Sequence, residues 1–377
     1  MLPYWLLFFY FALGGLLGRS AFRAAVPVNG NAAMPEAGGN EPSAAPRAHL
    51  RRGGVGLLFG MLLVALMVGL RYRVGADWQT YEAIFSRADL GSFGSSISRG
   101  DWGYQLVNAL IAKSGGAVWQ VNLVCSSLFA WGLWRFAERQ PDPWLVIVVA
   151  VPYLIVVVAM GYSRQAAALG ILMAGLAAVL RGSEIFRFAL YVLVAALFHR
   201  TAIVLLPLMG FVFPRSRASN VLLLLALSIS LYTVFLQDSV EVLRTNYVDA
   251  RYSSQGAGIR VAQVALAAII YFAARRRFGF DEVERRIWRN FAVVGLLMVP
   301  VLALTPSSTA VDRISLYLFP LQLAVIGRLH LAFRREALGR LVVVGYSAAV
   351  LFVWLNFAVH AQFWLPYRNV VTSDRVR

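Results

Sequence analysis

The sequence predicts an all-α fold: a polytopic integral membrane protein with its N-terminus outside, built from about 12 transmembrane or re-entrant helices. Three observations carry that prediction. The 377 residues are 59% hydrophobic, with a mean hydropathy of +0.67, whereas soluble domains sit near about 45–50% apolar. Charged residues make up only 14% of the chain. Apolar runs approaching the roughly 20 residues that cross a hydrocarbon layer about 30 Å thick alternate with short polar breaks along nearly the whole length.

Several function classes fall away at this level. The net charge of +17 does not mark a nucleic-acid binder, because the arginines lie in short clusters between apolar runs, as in loops that set membrane topology. Lys113 is the only lysine. Cys125 is the only cysteine, so no internal disulfide forms. The histidines (His49, His199, His330 and His360) have no i,i+4 partners, which argues against a metal site, and nothing points to a cofactor. The start, Met1-Leu2-Pro3-Tyr4-Trp5, lacks a basic region and reads as a retained first span.

The elements follow in order. Residues 2–17 form a short first span. Between Arg19 and Arg52 lie five arginines and an Ala/Pro-rich linker, 24–49, that lacks the apolar content to bury a core and is expected to be disordered and cytoplasmic. Residues 53–70 span, and an extracytoplasmic polar segment, 71–116, follows. Within it, 104–112 has the spacing of an amphipathic helix. Residues 117–134 and 144–161 span next. A break at Gly161-Tyr162-Ser163-Arg164-Gln165 leads into 166–180. The run 188–213 is apolar except for His199-Arg200-Thr201. Further spans cover 221–236, 259–274, 291–304, 314–333 and 341–359, with six arginines between 275 and 289 treated as a loop. The whole chain, 1–377, reads as one membrane domain.

Charge then orients the helices. Cytoplasmic loops carry the excess arginine, so the five-arginine linker lies inside and 71–116 outside. One span over 188–213 would put the next basic clusters on the wrong side. Two short helices meeting at His199-Arg200-Thr201 put them inside, and keep Arg200 out of mid-bilayer, a saving of about 2.5–3.5 kcal/mol. Every oddly polar motif then faces one side.

That side gathers Arg71, Arg73, Asp77, Tyr81, Arg164, Gln165, His199, Arg200, Arg251, Tyr252, Asp312, Arg313 and Tyr317. Planar, permanently charged guanidinium groups suit phosphate or pyrophosphate. Aromatics beside carboxylates suit a sugar, and an Asp or His can take a proton from an attacking hydroxyl. Arg164 and Arg313 are the expected pyrophosphate partners, with Arg71 and Arg73 beside them. Asp77 or His199 is the expected base, and Tyr81, Gln165, Arg251, Tyr252 and Tyr317 complete the substrate contacts.

The segments Arg71-Tyr72-Arg73-Val74-Gly75-Ala76-Asp77-Trp78 with Tyr81 and Phe85, Ser163-Arg164-Gln165, and Ala195-Ala196-Leu197-Phe198-His199 with Thr201 and Pro207 occur in a telling order. Arg313 with Tyr317 and the terminal Trp364-Leu365-Pro366-Tyr367 complete it. This pattern resembles the EpsG-type family of bacterial polysaccharide polymerases, within the broader Wzy-like group. The resemblance covers nearly the whole chain, with Ala76 where Thr is frequent and Trp78 where Tyr is frequent. It implies a multi-pass protein of the bacterial inner (cytoplasmic) membrane with a periplasm-facing active site, in exopolysaccharide, capsule or O-antigen synthesis. Its implied substrate is an undecaprenyl-pyrophosphate-linked oligosaccharide in the membrane lipid, and its implied reaction moves a growing glycan to the sugar of an incoming repeat unit. A chain-length-regulating co-polymerase is a further expected partner. The alternative reading is a flippase or exporter of the same lipid-linked glycan. An acyltransferase finds less support, because His199 lacks an adjacent carboxylate in the sequence.

Overall fold

The computed structural model describes residues 1–18, 54–88, 101–182, 185–210, 256–305 and 308–373, with a few isolated positions between them. Among the described residues the regular elements are helical, apart from a single antiparallel bridge between Arg71 and Asn369. The chain runs through α1 (Leu2–Leu17), α2 (Gly54–Gly69), α3 (Trp78–Ser86), α4 (Trp102–Lys113) and α5 (Val118–Ala137). Next come α6 (Pro143–Ala150, continued by a π-helical stretch, Val151–Ala159), α7 (Ser163–Val179), α8 (Ile185–Phe198) and α9 (Leu205–Gly210), the last two linked by a 3-10 turn, Arg200–Val204. After α10 (Ala257–Ala274) and α11 (Glu282–Leu304), α12 (Ser308–Tyr317) and α13 (Phe319–Ile326) lead to α14 (Glu336–Phe357).

By length and composition, α10, α11 and α14 are able to cross a membrane, and α12 with α13, bent by 44°, make a fourth candidate. Among the described residues, six shorter apolar helices of 10–17 residues accompany them. The expected linker 24–49 and most of the expected span 221–236 lie outside the described residues.

The core follows from composition. A helix that is apolar all round must be buried on all sides. α6 and its π-helical continuation are enclosed from Leu145 to Ala159, and α7 from Gln165 to Val179. The flanking helices instead show large apolar side chains outward, such as Leu62 on α2, Leu297 on α11 and Phe352 on α14, a surface suited to lipid. Lipid tails are as apolar as Leu, so close backbone approach replaces the hydrophobic effect as the force between helices. Gly132 on α5 and Gly170 on α7 provide it: a Cβ on Gly132 would lie 1.7 Å from the Gly170 carbonyl oxygen.

Two expectations are corrected. The six arginines between 275 and 289 are not all loop. Asp281 accepts the Glu284 amide at 2.8 Å, and the Glu284 carboxylate accepts the Asp281 amide at 3.2 Å. This capping box starts α11 at Glu282, so Arg285, Arg286 and Arg289 are helical. Asp312 and Arg313 likewise lie within α12 and not in a break before a span.

The interruption at His199 is present, with the residue extended (φ −156°, ψ 108°) between α8 and the 3-10 turn. Polar contacts collect at two opposite ends of the bundle. At one, Arg340 pairs with Asp142 at 2.6 Å and donates to the Gly15 carbonyl, while Arg328 forks onto Glu284. The other end, where α2 runs into α3, holds the motifs singled out above.

Candidate active site

The segment after α2 is laced to the chain's last described residues. Val370 donates to the Leu70 carbonyl at 2.9 Å, Tyr72 to Arg368 at 3.0 Å, and Gly75 to Phe363 at 2.9 Å. Gly75 is required: its φ is 104°, and a Cβ there would lie 2.4 Å from the Met160 carbonyl oxygen. Trp364 reaches from the same strap into the core, its Nε1 donating to the Val156 carbonyl at 2.7 Å, while its own carbonyl accepts the Tyr4 hydroxyl at 2.6 Å.

Arg71 is 1% exposed, and its guanidinium is spent on protein. It donates to the Val68 carbonyl at 2.5 Å, the Val74 carbonyl at 3.2 Å, Ser163 Oγ at 2.6 Å and Asn122 Oδ1 at 3.2 Å. Four of its five N–H donors therefore have partners, and the side chain ties α2, α5 and α7 together. Arg73, in the left-handed region at φ 52°, is exposed and stacks over Tyr72 at 5.4 Å. The expected Arg71–Arg73 phosphate clamp is thus divided between a structural knot and an exposed cation.

Asp77 precedes α3 and makes no side-chain cap. Burial pushes its carboxyl up from the usual carboxylate range, against the pull of Arg164, Arg313 and Arg260. Tyr81, one helical turn on, is buried, packs on Tyr104 at 5.9 Å and lies near the Arg164 guanidinium.

Asp101 joins three separate elements. It stands at the start of α4 with φ 55°, a left-handed conformation that Asp tolerates better than most residues. Its Oδ2 accepts Arg164 Nη1 at 2.7 Å, and its Oδ1 accepts the Arg200 amide at 3.1 Å. His199 Nδ1 lies 3.8 Å from the same Oδ1, an ion-pair distance longer than a hydrogen bond. Burial pushes the Asp101 carboxyl up, but His199, Arg164 and the Arg200 amide outweigh it, and the group is held below the usual range.

Behind this pair, Gln165 Nε2 donates to the Arg313 carbonyl at 3.1 Å and contacts the Tyr317 hydroxyl, which accepts Thr201 Oγ1 at 3.2 Å. Arg313 itself is exposed. Deeper, Arg260 donates to the Tyr153 hydroxyl at 2.7 Å and pairs with Asp312, its guanidinium 5.0 Å from the Tyr162 ring centre.

The structure therefore brings Asp77, Tyr81, Arg164, Gln165, His199, Arg313 and Tyr317 to one end of the bundle. Arg251 and Tyr252 lie outside the described residues. Sequence reasoning gave no role to Asp101, the carboxylate next to His199, or to Arg260, the partner of Asp312. Among the described residues no group of three or more His, Cys, Asp or Glu side chains is placed to hold a metal ion. The arrangement offers cations for an anionic leaving group and two bases for a hydroxyl proton.

A family model described as the EpsG family matches residues 56–369. No curated protein and no solved structure matches the chain.

Proposed function

Because this chain belongs to the EpsG family, we propose that it polymerises lipid-linked oligosaccharide repeat units as a membrane glycosyltransferase. The donor is a glycan on undecaprenyl pyrophosphate, and the acceptor is a sugar hydroxyl of the next lipid-linked unit. As the acceptor oxygen bonds to the donor's anomeric carbon, the bond from that carbon to pyrophosphate breaks. The electron pair leaves on the phosphate oxygen, and the hydroxyl proton passes to Asp77 or His199. Arg164 and Arg313 receive the leaving charge, a role in which a positioned donor is worth about 10²–10³ in rate. Lipid pyrophosphate leaves readily, so no nucleotide sugar is needed.

One observation carries this reading. Arg164, on α7, pairs with Asp101 at 2.7 Å beside His199, and the next residue, Gln165, donates to the Arg313 carbonyl on α12 at 3.1 Å, at a single end of an apolar bundle. The proposed topology puts that end in the periplasm and the N-terminus outside, with about 12 spanning or re-entrant helices in the bacterial inner membrane. The opposite end carries exposed Arg275, Arg276, Arg277, Arg334 and Arg335, which supports a cytoplasmic placement there.

The test is reconstitution. Purified protein in liposomes, given lipid-linked repeat units, should lengthen them into a ladder. Arg164→Ala and Arg313→Ala should each lower the rate by at least about 10² while the protein still accumulates in the membrane. A wild-type protein that moves labelled lipid across the bilayer without joining sugars would replace the polymerase reading with a flippase.

A further inference from the structure

Two groups in the site are chemically able to take the acceptor proton, and they differ in what stands behind them. Asp77 lacks a cap hydrogen bond, and among the described residues no side-chain hydrogen bond or ion pair orients it. His199 has one. Its Nδ1 faces Asp101 Oδ1 at 3.8 Å, and Asp101 is fixed on its other flanks by Arg164 at 2.7 Å and the Arg200 amide at 3.1 Å. A base held by a second group that sets its tautomer is the arrangement that makes histidine effective.

We propose that Asp101 is the positioning residue of this site and that it makes His199, not Asp77, the base. With Nδ1–H directed at the Asp101 carboxylate, Nε2 carries the lone pair and is the atom that accepts the proton. The separation shortens to a hydrogen bond as substrate binds, a common change between empty and loaded sites. The acceptor hydroxyl then gives its proton to Nε2 while its oxygen bonds to the anomeric carbon. The electron pair of the broken bond departs on pyrophosphate, and Asp101 balances the imidazolium. Asp101 also holds Arg164, so the proton-accepting and charge-receiving parts share one support. The left-handed backbone at Asp101 and the extended break at His199 are the two local distortions that bring the carboxylate to the ring.

The identity of the reaction rests on the polymerase reading, whereas the tautomer does not, and the experiment separates them. Histidines labelled with nitrogen isotope in nanodisc-embedded protein give signals for the four histidines of the chain, with His199 assigned by its loss in His199→Gln. Wild type should show the proton on Nδ1, Asp101→Asn should move it to Nε2, and Asp101→Glu should restore it. An unchanged tautomer in Asp101→Asn overturns the proposal whatever the enzyme does. In the ladder assay, Asp101→Asn and His199→Gln should each lower turnover by about 10²–10⁴, and His199→Gln should leave the donor KM unchanged. Their combination should be no worse than the poorer single variant, as for residues acting as a unit. Wild-type turnover in Asp101→Asn, or losses that multiply, would also overturn it. A wild-type protein that makes no ladder but shows the expected tautomer shift sinks the reaction and leaves the pair.

Discussion

Replacing Arg71 by Met separates two meanings of a buried arginine. The change keeps an unbranched side chain but removes every donor. Asn122 and Ser163 retain each other, since Ser163 Oγ donates to Asn122 Oδ1 at 2.7 Å. The Val68 and Val74 carbonyls lose a charged partner, and each such bond is worth about 1.5–3 kcal/mol. The expected loss is therefore about 3–6 kcal/mol, a fall in unfolding midpoint on the order of 10 °C. Arg73→Ala, at an exposed cation, should stay within about 0.5 kcal/mol of wild type. Thermal unfolding in nanodiscs, read beside the glycan ladder, checks both. An Arg71→Met protein that melts like wild type but builds no polymer would refute the reasoning and return Arg71 to the substrate.

Three further outcomes follow from particular contacts. Burial holds the Asp77 carboxyl above its unfolded value, so the folded protein keeps that proton longer than the unfolded chain and loses stability as pH rises through the raised value. Asp77→Asn should therefore melt above wild type at neutral pH, and the advantage should vanish as pH falls below the ordinary carboxylate range. Gly132→Ala places a methyl group 1.7 Å from the Gly170 carbonyl oxygen, and chemical denaturation should report a loss of about 1–3 kcal/mol. Gly345→Ala, where nothing lies within 4 Å on the exposed face of α14, should instead gain about 0.5–1 kcal/mol.

The class of the protein was plain in its composition, and charge patterning foreshadowed the gathering of Asp77, Arg164, His199 and Arg313 at one end among the described residues. Arginine-rich breaks alternate with polar breaks of mixed type, and hydrocarbon tolerates neither in its interior. The interruption at His199 was legible because Arg200 in mid-bilayer is expensive. Asp101 was not legible, because it is one of several acids in a polar segment and its partner Arg164 is 63 positions away. Arg71 looked like a ligand because local sequence shows a charge at a membrane exit and cannot show the carbonyls of Val68 and Val74 turning toward it. Arg260 went without a role for the same reason, its partner Asp312 lying 52 positions on. The start of α11 was readable: Asp281 and Glu284 have the spacing of a capping box, and the surrounding arginines obscured it.

The strap that closes over the turn after α2 has a temporal consequence. Tyr367 bonds the Met67 carbonyl across 300 positions, and a ribosome adding about 5–20 residues per second needs about 15–60 seconds to cover them. During translation, Leu70, Tyr72 and Gly75 wait that long with their backbone partners unmade. The newborn chain therefore carries unpaired backbone groups at the end of the bundle that holds the candidate site. A ribosome stalled shortly before Phe363 would leave a protein with nearly all its helices and no finished site.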